Sequence, residues 1–229
     1  MKLYSHPAST TSRIVMLYIA EEAPDVELQT VDIFSGEHLK PEYTAINPSP
    51  LVPVLEDDDF RLTECSAILK YLAEKQNSPS YPKGLRERAR VNEMMDWLNT
   101  NLYREFAYGV VYPQAFPTHK RRSDEAQAAT LAWGAEKSQA WLKILDERLI
   151  DPKKAYLCGD RITIADYMGS QVVGVGELIG CDFSKYPNIA RWMNNMKALK
   201  SWSRVHEVFH GFADSIKGQK FVTPSERSA

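Results

Sequence analysis

Residues 6–13 read "HPASTTSR", and with the preceding Ser5 they supply five hydroxyl side chains: Ser5, Ser9, Thr10, Thr11 and Ser12. A hydroxyl just ahead of a helix can accept from one of the unpaired first-turn N–H groups. The same helix start favours an anion, to which a hydroxyl can instead donate. Two other stretches carry residues of comparable interest. In "NPSPLVPVLE" (47–56), Val52-Pro53 stands where a strand should begin, and proline there removes a ladder donor. A cis peptide at this bond would turn the Val52 backbone outward to pair with a peptide-like ligand. In "LTECSAILKYLAE" (62–74), Glu64 and Cys65 open a helix, a second N-terminal pocket suited to a carboxylate. Each feature alone has a plain structural reading: a cap, a strand-edge proline, a first-turn acid.

Other chemistries find little support. The chain has no GxGxxG and no GxxxxGK[ST], so nothing recommends a nucleotide. Its net charge of −2 gives no global basic field for nucleic acid, and "HKRR" (119–122) followed by "SDE" reads as a solvated turn. The cysteines show no CxxC metal motif, and the pair His206 and His210, spaced i, i+4, has no third local ligand, which predicts a surface pair and no metal. Three widely spaced cysteines (Cys65, Cys158, Cys181) fit a reducing compartment better than a disulfide framework. No apolar run approaches a membrane span, and the N-terminus lacks the pattern of a secretory signal, so a cytoplasmic location is expected.

The elements that must position these residues change character along the chain. "KLYS" reads as a short strand and 10–22 as a helix with apolar Ile14, Val15, Leu17, Tyr18 and Ile19. "VELQTVDI" (26–33) alternates like a strand, and "GEHLKPEYTAIN" is loop with one helical turn. "VPVLE" and "FRL" flank the turn "DDD" as a hairpin, and 64–75 is helical through Ile68, Leu69, Tyr71 and Leu72. The order βαβ-ββα predicts a parallel first pair, an antiparallel hairpin, and a four-stranded mixed sheet with helices on its faces, the α/β thioredoxin-like arrangement. "QNSPSYPKG" (76–84) reads as linker. Beyond it come four helical patterns, at 85–110, 123–150, 162–179 and 188–212, and almost no strand signal. The expected organisation is residues 1–76 thioredoxin-like, 77–84 linker, 85–218 all-helical, and 219–229 a C-terminal tail. Thr163 and Asp166 in "DRITIADY" have capping-box spacing, with a structural meaning only.

In a thioredoxin-like domain the turn after the first strand leads into a helix N-terminus. A redox member would carry CxxC there, but no cysteine precedes position 65. A hydroxyl could donate there to a thiolate brought by a substrate; it could equally only cap the helix. The stretches "LYSHPASTTSR", "GEH", "INPSPLVPVLE", "LTECSAILKYL" and "GDRITIADY" together resemble a glutathione transferase over nearly the full length of the chain. The resemblance is to the serine-type theta, phi and delta classes and their bacterial relatives. It implies that Ser9 stabilises the glutathione thiolate. It further implies that His38, with Lys40, meets the glycyl carboxylate, that Val52 before Pro53 pairs with the cysteinyl backbone, and that Glu64 with Cys65 holds the γ-glutamyl end. Three positions depart from the family pattern: Cys65 stands for a serine, Leu51 for a Gln or Lys, and Leu39 for a basic residue.

The resemblance also implies an electrophile pocket between the two halves. Its candidate lining is Tyr103, Phe106, Tyr108, Tyr112, Phe116, Phe209 and Phe212, while Trp97, Trp133, Trp141 and Trp192 are assigned to the core. The expected protein is a homodimeric detoxification enzyme that uses glutathione as co-substrate against a small hydrophobic electrophile and needs no other cofactor. The alternatives are a glutathione-dependent dehalogenase of small haloalkanes and a non-catalytic binding protein of the same fold.

Overall fold

The computed structural model describes residues 1–224; of the expected tail, 225–229 lie outside the described residues. Strand β1 (Lys2–Ser5) pairs in parallel with β2 (Glu27–Thr30) and antiparallel with β3 (Val54–Asp57), which forms a hairpin with β4 (Phe60–Leu62). The sheet order is β2-β1-β3-β4, the mixed four-stranded arrangement expected from the sequence. Strand β2 is shorter than its alternating pattern suggests. Asp32 accepts from the backbone N–H groups of Phe34 and Ser35 at 2.9 and 3.2 Å, an Asx turn that ends the pairing, while Val31 buries with Tyr43 and Val54.

Helix α1 (Thr10–Glu22) starts at Ser9, whose backbone is extended and whose side chain accepts from the Ser12 N–H. Its apolar face, Ile14, Val15, Leu17 and Tyr18, is fully withdrawn from water. A 3₁₀ turn (Glu37–Leu39) leads into the single-turn helix α2 (Pro41–Thr44), and α3 (Cys65–Lys75) follows β4. The Val52-Pro53 peptide is cis.

From 85 to 115 the chain forms one rod: α4 (Leu85–Trp97), a π-helical turn (Leu98–Tyr103), α5 (Arg104–Phe106), a second π-helical stretch (Ala107–Val111) and α6 (Tyr112–Ala115). The wide turns change the angular spacing of side chains along the segment that carries the tyrosines. Helix α7 (Asp124–Ile144) starts at Ser123, which accepts from the Ala126 N–H at 3.1 Å. It crosses the rod so closely that a Cβ on Gly134 would lie 2.5 Å from the Gly109 carbonyl oxygen, so only glycine fits there.

Helix α8 (Ile164–Gly174) is buried on every residue, and its polar Asp166, Ser170 and Gln171 are all hydrogen-bonded. The capping box at Thr163 and Asp166 is formed. The buried Asp166 also accepts from the Leu157 N–H and the Trp192 Nε1–H at 2.8 and 2.9 Å, so this carboxylate ties three segments together. The pattern at 188–212 is not one helix but two, α9 (Pro187–Lys197) and α10 (Trp202–Ser215). The break follows from Ser201, whose N–H donates to Glu21 at 2.7 Å and whose hydroxyl donates to the Ala20 carbonyl at 3.1 Å. One apolar core runs from Leu3 through α1 and α8 to Phe209.

Two expectations are corrected here. Trp133 is 58 % exposed, because the inner face of α7 is the one bearing Gly134, Ala135 and Ser138; Lys137 lies over its ring. Trp192 is buried, with Trp97 and Trp141 packed edge to face at the core margin. His206 does not share a surface pair with His210. It is buried, stacked on Trp202 at 3.8 Å, and bonded to Gln171 and to the Trp202 carbonyl, leaving His210 to face Glu177.

Candidate functional site

Four of the five hydroxyls follow one another at the start of α1, and their environments separate them. Thr10 is buried and accepts from the Tyr112 phenol at 2.9 Å, which also contacts the Tyr103 phenol at 2.8 Å. Ser12 is buried and accepts from the His6 N–H at 3.2 Å. Ser9 and Thr11 are only half-buried. The Ser9 oxygen accepts from the Ser12 N–H at 3.3 Å and lies 3.1 Å from the Thr11 hydroxyl, which in turn donates to the Val52 carbonyl at 2.9 Å. A single hydrogen-bonded path therefore joins the helix start to the residue before the cis proline.

Thr11, Val52, Pro53, Glu64, Cys65, Tyr103 and Tyr108 border one cavity of about 430 Å³. The Leu51 carbonyl beside it is fixed by the Tyr43 hydroxyl at 2.7 Å and the Asn47 amide at 2.8 Å, which holds the 47–53 loop against α2. Leu51 itself is exposed. Glu64 is exposed, with φ 64° and ψ 111°. That backbone conformation is costly for a residue with a Cβ and directs attention to function. Cys65 behind it is buried, and burial, with the Glu64 charge second, pushes its thiol up to about 12. A helix N-terminus can activate a thiol, but here desolvation dominates and the thiol stays protonated.

The predicted glycyl-carboxylate pair divides. His38 sits in the 3₁₀ turn with its Nδ1 buried and unpaired. Lys40 borders a second cavity, of about 520 Å³, between β2 and α2 with Asp32, Glu37 and Tyr43. The aromatic set divides as well. Tyr103 and Tyr108 reach the first cavity, and Tyr108 is 43 % exposed. Tyr112 is buried beneath them on Thr10. Phe116 and Phe212 stack at 5.2 Å, with Phe34 tilted against Phe212 at 6.2 Å and edge-on to His6 at 5.1 Å. Phe106 and Phe209 go into the core: Phe106 meets Phe183, and Phe209 covers the Arg13 guanidinium at 3.9 Å.

Arg13 carries the loop before Ser9. Its buried guanidinium donates to the carbonyls of Pro7 and Ala8 at 3.2 and 2.8 Å and to Gln171 of α8 at 3.2 Å. Burial lowers its pKa to about 10, still far above neutrality, so it remains charged. The sequence reading missed Arg13 and Thr11. It also missed Asn99, Thr100 and Arg104, which border the first cavity. For Asn99 and Thr100 a signal existed, since they stand four and three positions before Tyr103 on a helical rod.

Two family models match the chain: the glutathione S-transferase N-terminal domain over residues 1–74 and the glutathione S-transferase C-terminal domain over residues 110–200. Glutathione S-transferase theta-1 of Homo sapiens is 33 % identical over 221 residues, covering 91 % of this chain and 88 % of that protein. Among solved structures, a delta-class glutathione transferase of Nilaparvata lugens is similar, with a TM-score of 0.77, 30 % identity, and 94 % and 99 % of the two chains covered. A glutathione transferase homologue from sulfitobacter, solved with bound glutathione, has a TM-score of 0.77, 25 % identity, and coverage of 90 % and 97 %.

Proposed function

The chain belongs to the glutathione S-transferase family, and on that premise we propose that Ser9 activates the glutathione thiol for attack on a small hydrophobic electrophile. The protein is a glutathione transferase. The observation that carries the assignment to Ser9 is the contrast among the hydroxyls. Thr10 and Ser12 are buried against Tyr112 and His6, whereas Ser9 is half-buried and hydrogen-bonded to Thr11 in the cavity wall.

The chemistry follows from the acidity of the thiol. The nucleophile must be a thiolate, and a free thiol near pKa 8.5 is only a few per cent ionised at neutral pH. A hydrogen bond to the charged sulfur contributes roughly 1.5–3 kcal/mol, or about one to two pKa units. The part of that range left after the bond that Ser9 gives up sets how far the thiolate fraction rises. The cysteinyl backbone pairs with Val52 and the γ-glutamyl end with Glu64 and the backbone of Cys65, all on the same cavity. The glycyl carboxylate goes to His38 and Lys40. The resemblance carries both residues here, since neither borders the first cavity: the His38 Nδ1 is buried and Lys40 borders the other cavity. The electrophile lies toward Tyr103 and Tyr108, with the Phe116–Phe212 stack beyond. A homodimer working in the cytoplasm in detoxification completes the reading.

The test is a panel of electrophiles incubated with glutathione and the protein, read by mass spectrometry. Glutathione adducts formed above the uncatalysed rate support the proposal. Halide release confined to small haloalkanes would redirect it to a dehalogenase, and no binding of glutathione by calorimetry would refute it.

A further inference from the structure

We propose that Thr11 is a positioning residue for thiol activation: in the unliganded protein it holds the Ser9 proton that the glutathione thiolate must win. The inference rests on the assignment of Ser9 as the activating hydroxyl. Its basis is a count of protons. Thr11 has one hydroxyl proton, and the Val52 carbonyl can only accept, so the 2.9 Å contact between them uses that proton. The 3.1 Å contact between Ser9 and Thr11 then has one direction left, with Ser9 donating and Thr11 accepting. The Ser9 oxygen meanwhile accepts from the Ser12 N–H at 3.3 Å. The hydrogen bonds run one way, from Ser12 to Ser9 to Thr11 to Val52.

A thiolate laid against Ser9 therefore does not meet a free donor. It exchanges a Ser9–Thr11 bond for a Ser9–sulfur bond. The exchange is favourable because a hydrogen bond to an ion is roughly twice as strong as one between neutral groups. The acidity gained is the difference between the two bonds, not the whole of the second. A neutral thiol, a weak acceptor, does not displace Thr11. Ser9 thus commits to the sulfur only in its charged state, which is the discrimination that lowers a pKa. Thr11 sets how large that discrimination is, and through Val52 it also fixes Ser9 relative to the strand edge that receives the peptide.

Thr11→Val removes the acceptor with little change of shape, and Thr11→Ser keeps it. The thiolate absorbance of bound glutathione is titrated in both, in Ser9→Ala, and in the Ser9→Ala/Thr11→Val double variant. With Thr11→Val the bound thiol's pKa should fall by the equivalent of one neutral hydrogen bond, about half a unit to one unit. The pH–rate profile should move with it. Thr11→Ser should titrate as the wild type. The double variant should match Ser9→Ala, because no Ser9 proton remains to be released. The charged and titratable groups around this corner stay constant throughout: His6 and Arg13 beside Ser9, Glu64 and Cys65 at the start of α3, and Tyr103, Arg104, Tyr108 and Tyr112 on the rod. If Ser9→Ala raises the pKa while Thr11→Val leaves it unchanged or raises it, Thr11 is only a structural tie and the proposal fails alone. If Ser9→Ala leaves the pKa unchanged, the assignment of Ser9 fails and takes this inference with it.

Discussion

Glu64 offers the sharpest separation of binding from folding. Its backbone lies at φ 64° and ψ 111°, outside the region a residue with a Cβ adopts freely. Holding a non-glycine residue in such a region costs about 1–3 kcal/mol. Glycine removes that cost but loses about 0.4–1 kcal/mol through the greater freedom of its unfolded chain. The net expectation for Glu64→Gly is a gain of about 1 kcal/mol, or a rise in Tm of roughly 2–4 °C for a chain of this size. The Glu64 side chain is exposed, so its removal opens no cavity to offset the gain. Glutathione should respond in the opposite sense. Loss of a charge-assisted partner costs roughly 1.5–3 kcal/mol, which is about a ten- to hundredfold weaker Kd. Glu64→Ala should lose the same affinity while keeping the strain. Calorimetric titration with glutathione and thermal melts of the three proteins supply the comparison. A glycine variant no more stable than the alanine variant would show that the conformation is not strained, and unchanged affinity in both would remove Glu64 from the site.

Ser9→Ala should preserve the fold and lower turnover roughly ten- to a hundredfold, with the pH–rate profile displaced to higher pH; Thr10→Ala should do much less in the same steady-state assay. Burial holds the thiols of Cys65, Cys158 and Cys181 up at about 12, so a thiol reagent at pH 8 should label none of them until the protein unfolds, and Cys65→Ser should keep or improve turnover. Arg13→Met should cost about 2–4 kcal/mol in denaturant unfolding, because the carbonyls of Pro7 and Ala8 lose their donor in a buried setting; a loss below 1 kcal/mol would mean that they find another partner. Burial above all, then the neighbouring Arg13, His210 and Lys197 charges, holds His206 down at about 3. The unfolded chain, with an ordinary histidine near 6.5, binds the extra proton first. The contribution of His206 to stability is therefore complete above pH 6.5 and falls as pH drops toward 3, by up to about 1.4 kcal/mol per pH unit. The slope of unfolding free energy between pH 4 and 6 should be shallower in His206→Gln, and equal slopes would contradict a neutral buried ring.

What the sequence determined by itself was what depends on near neighbours. The strand–helix–strand order, the helix begun at Ser9, the "DDD" hairpin and the Thr163–Asp166 capping box rest on residues a few positions apart, where periodicity and cap chemistry are local. The five matching stretches identified the family. Tertiary structure decided which way each side chain faces and what it meets. Phe106 lies within the helical rod and is sealed against Phe183, whereas Phe116 is the extended residue that ends the rod, at φ −125° and ψ 119°, and stacks on Phe212. The 188–212 pattern broke where Ser201 found Glu21 and Ala20, partners about 180 residues away. His206 left the surface because Trp202 and Gln171 enclosed it. Above all, the path from Ser9 through Thr11 to Val52 spans 41 positions from Thr11 to Val52, and no local pattern encodes it. A hydroxyl's type is written in the sequence, but the direction in which it donates depends on the acceptors that folding brings to it.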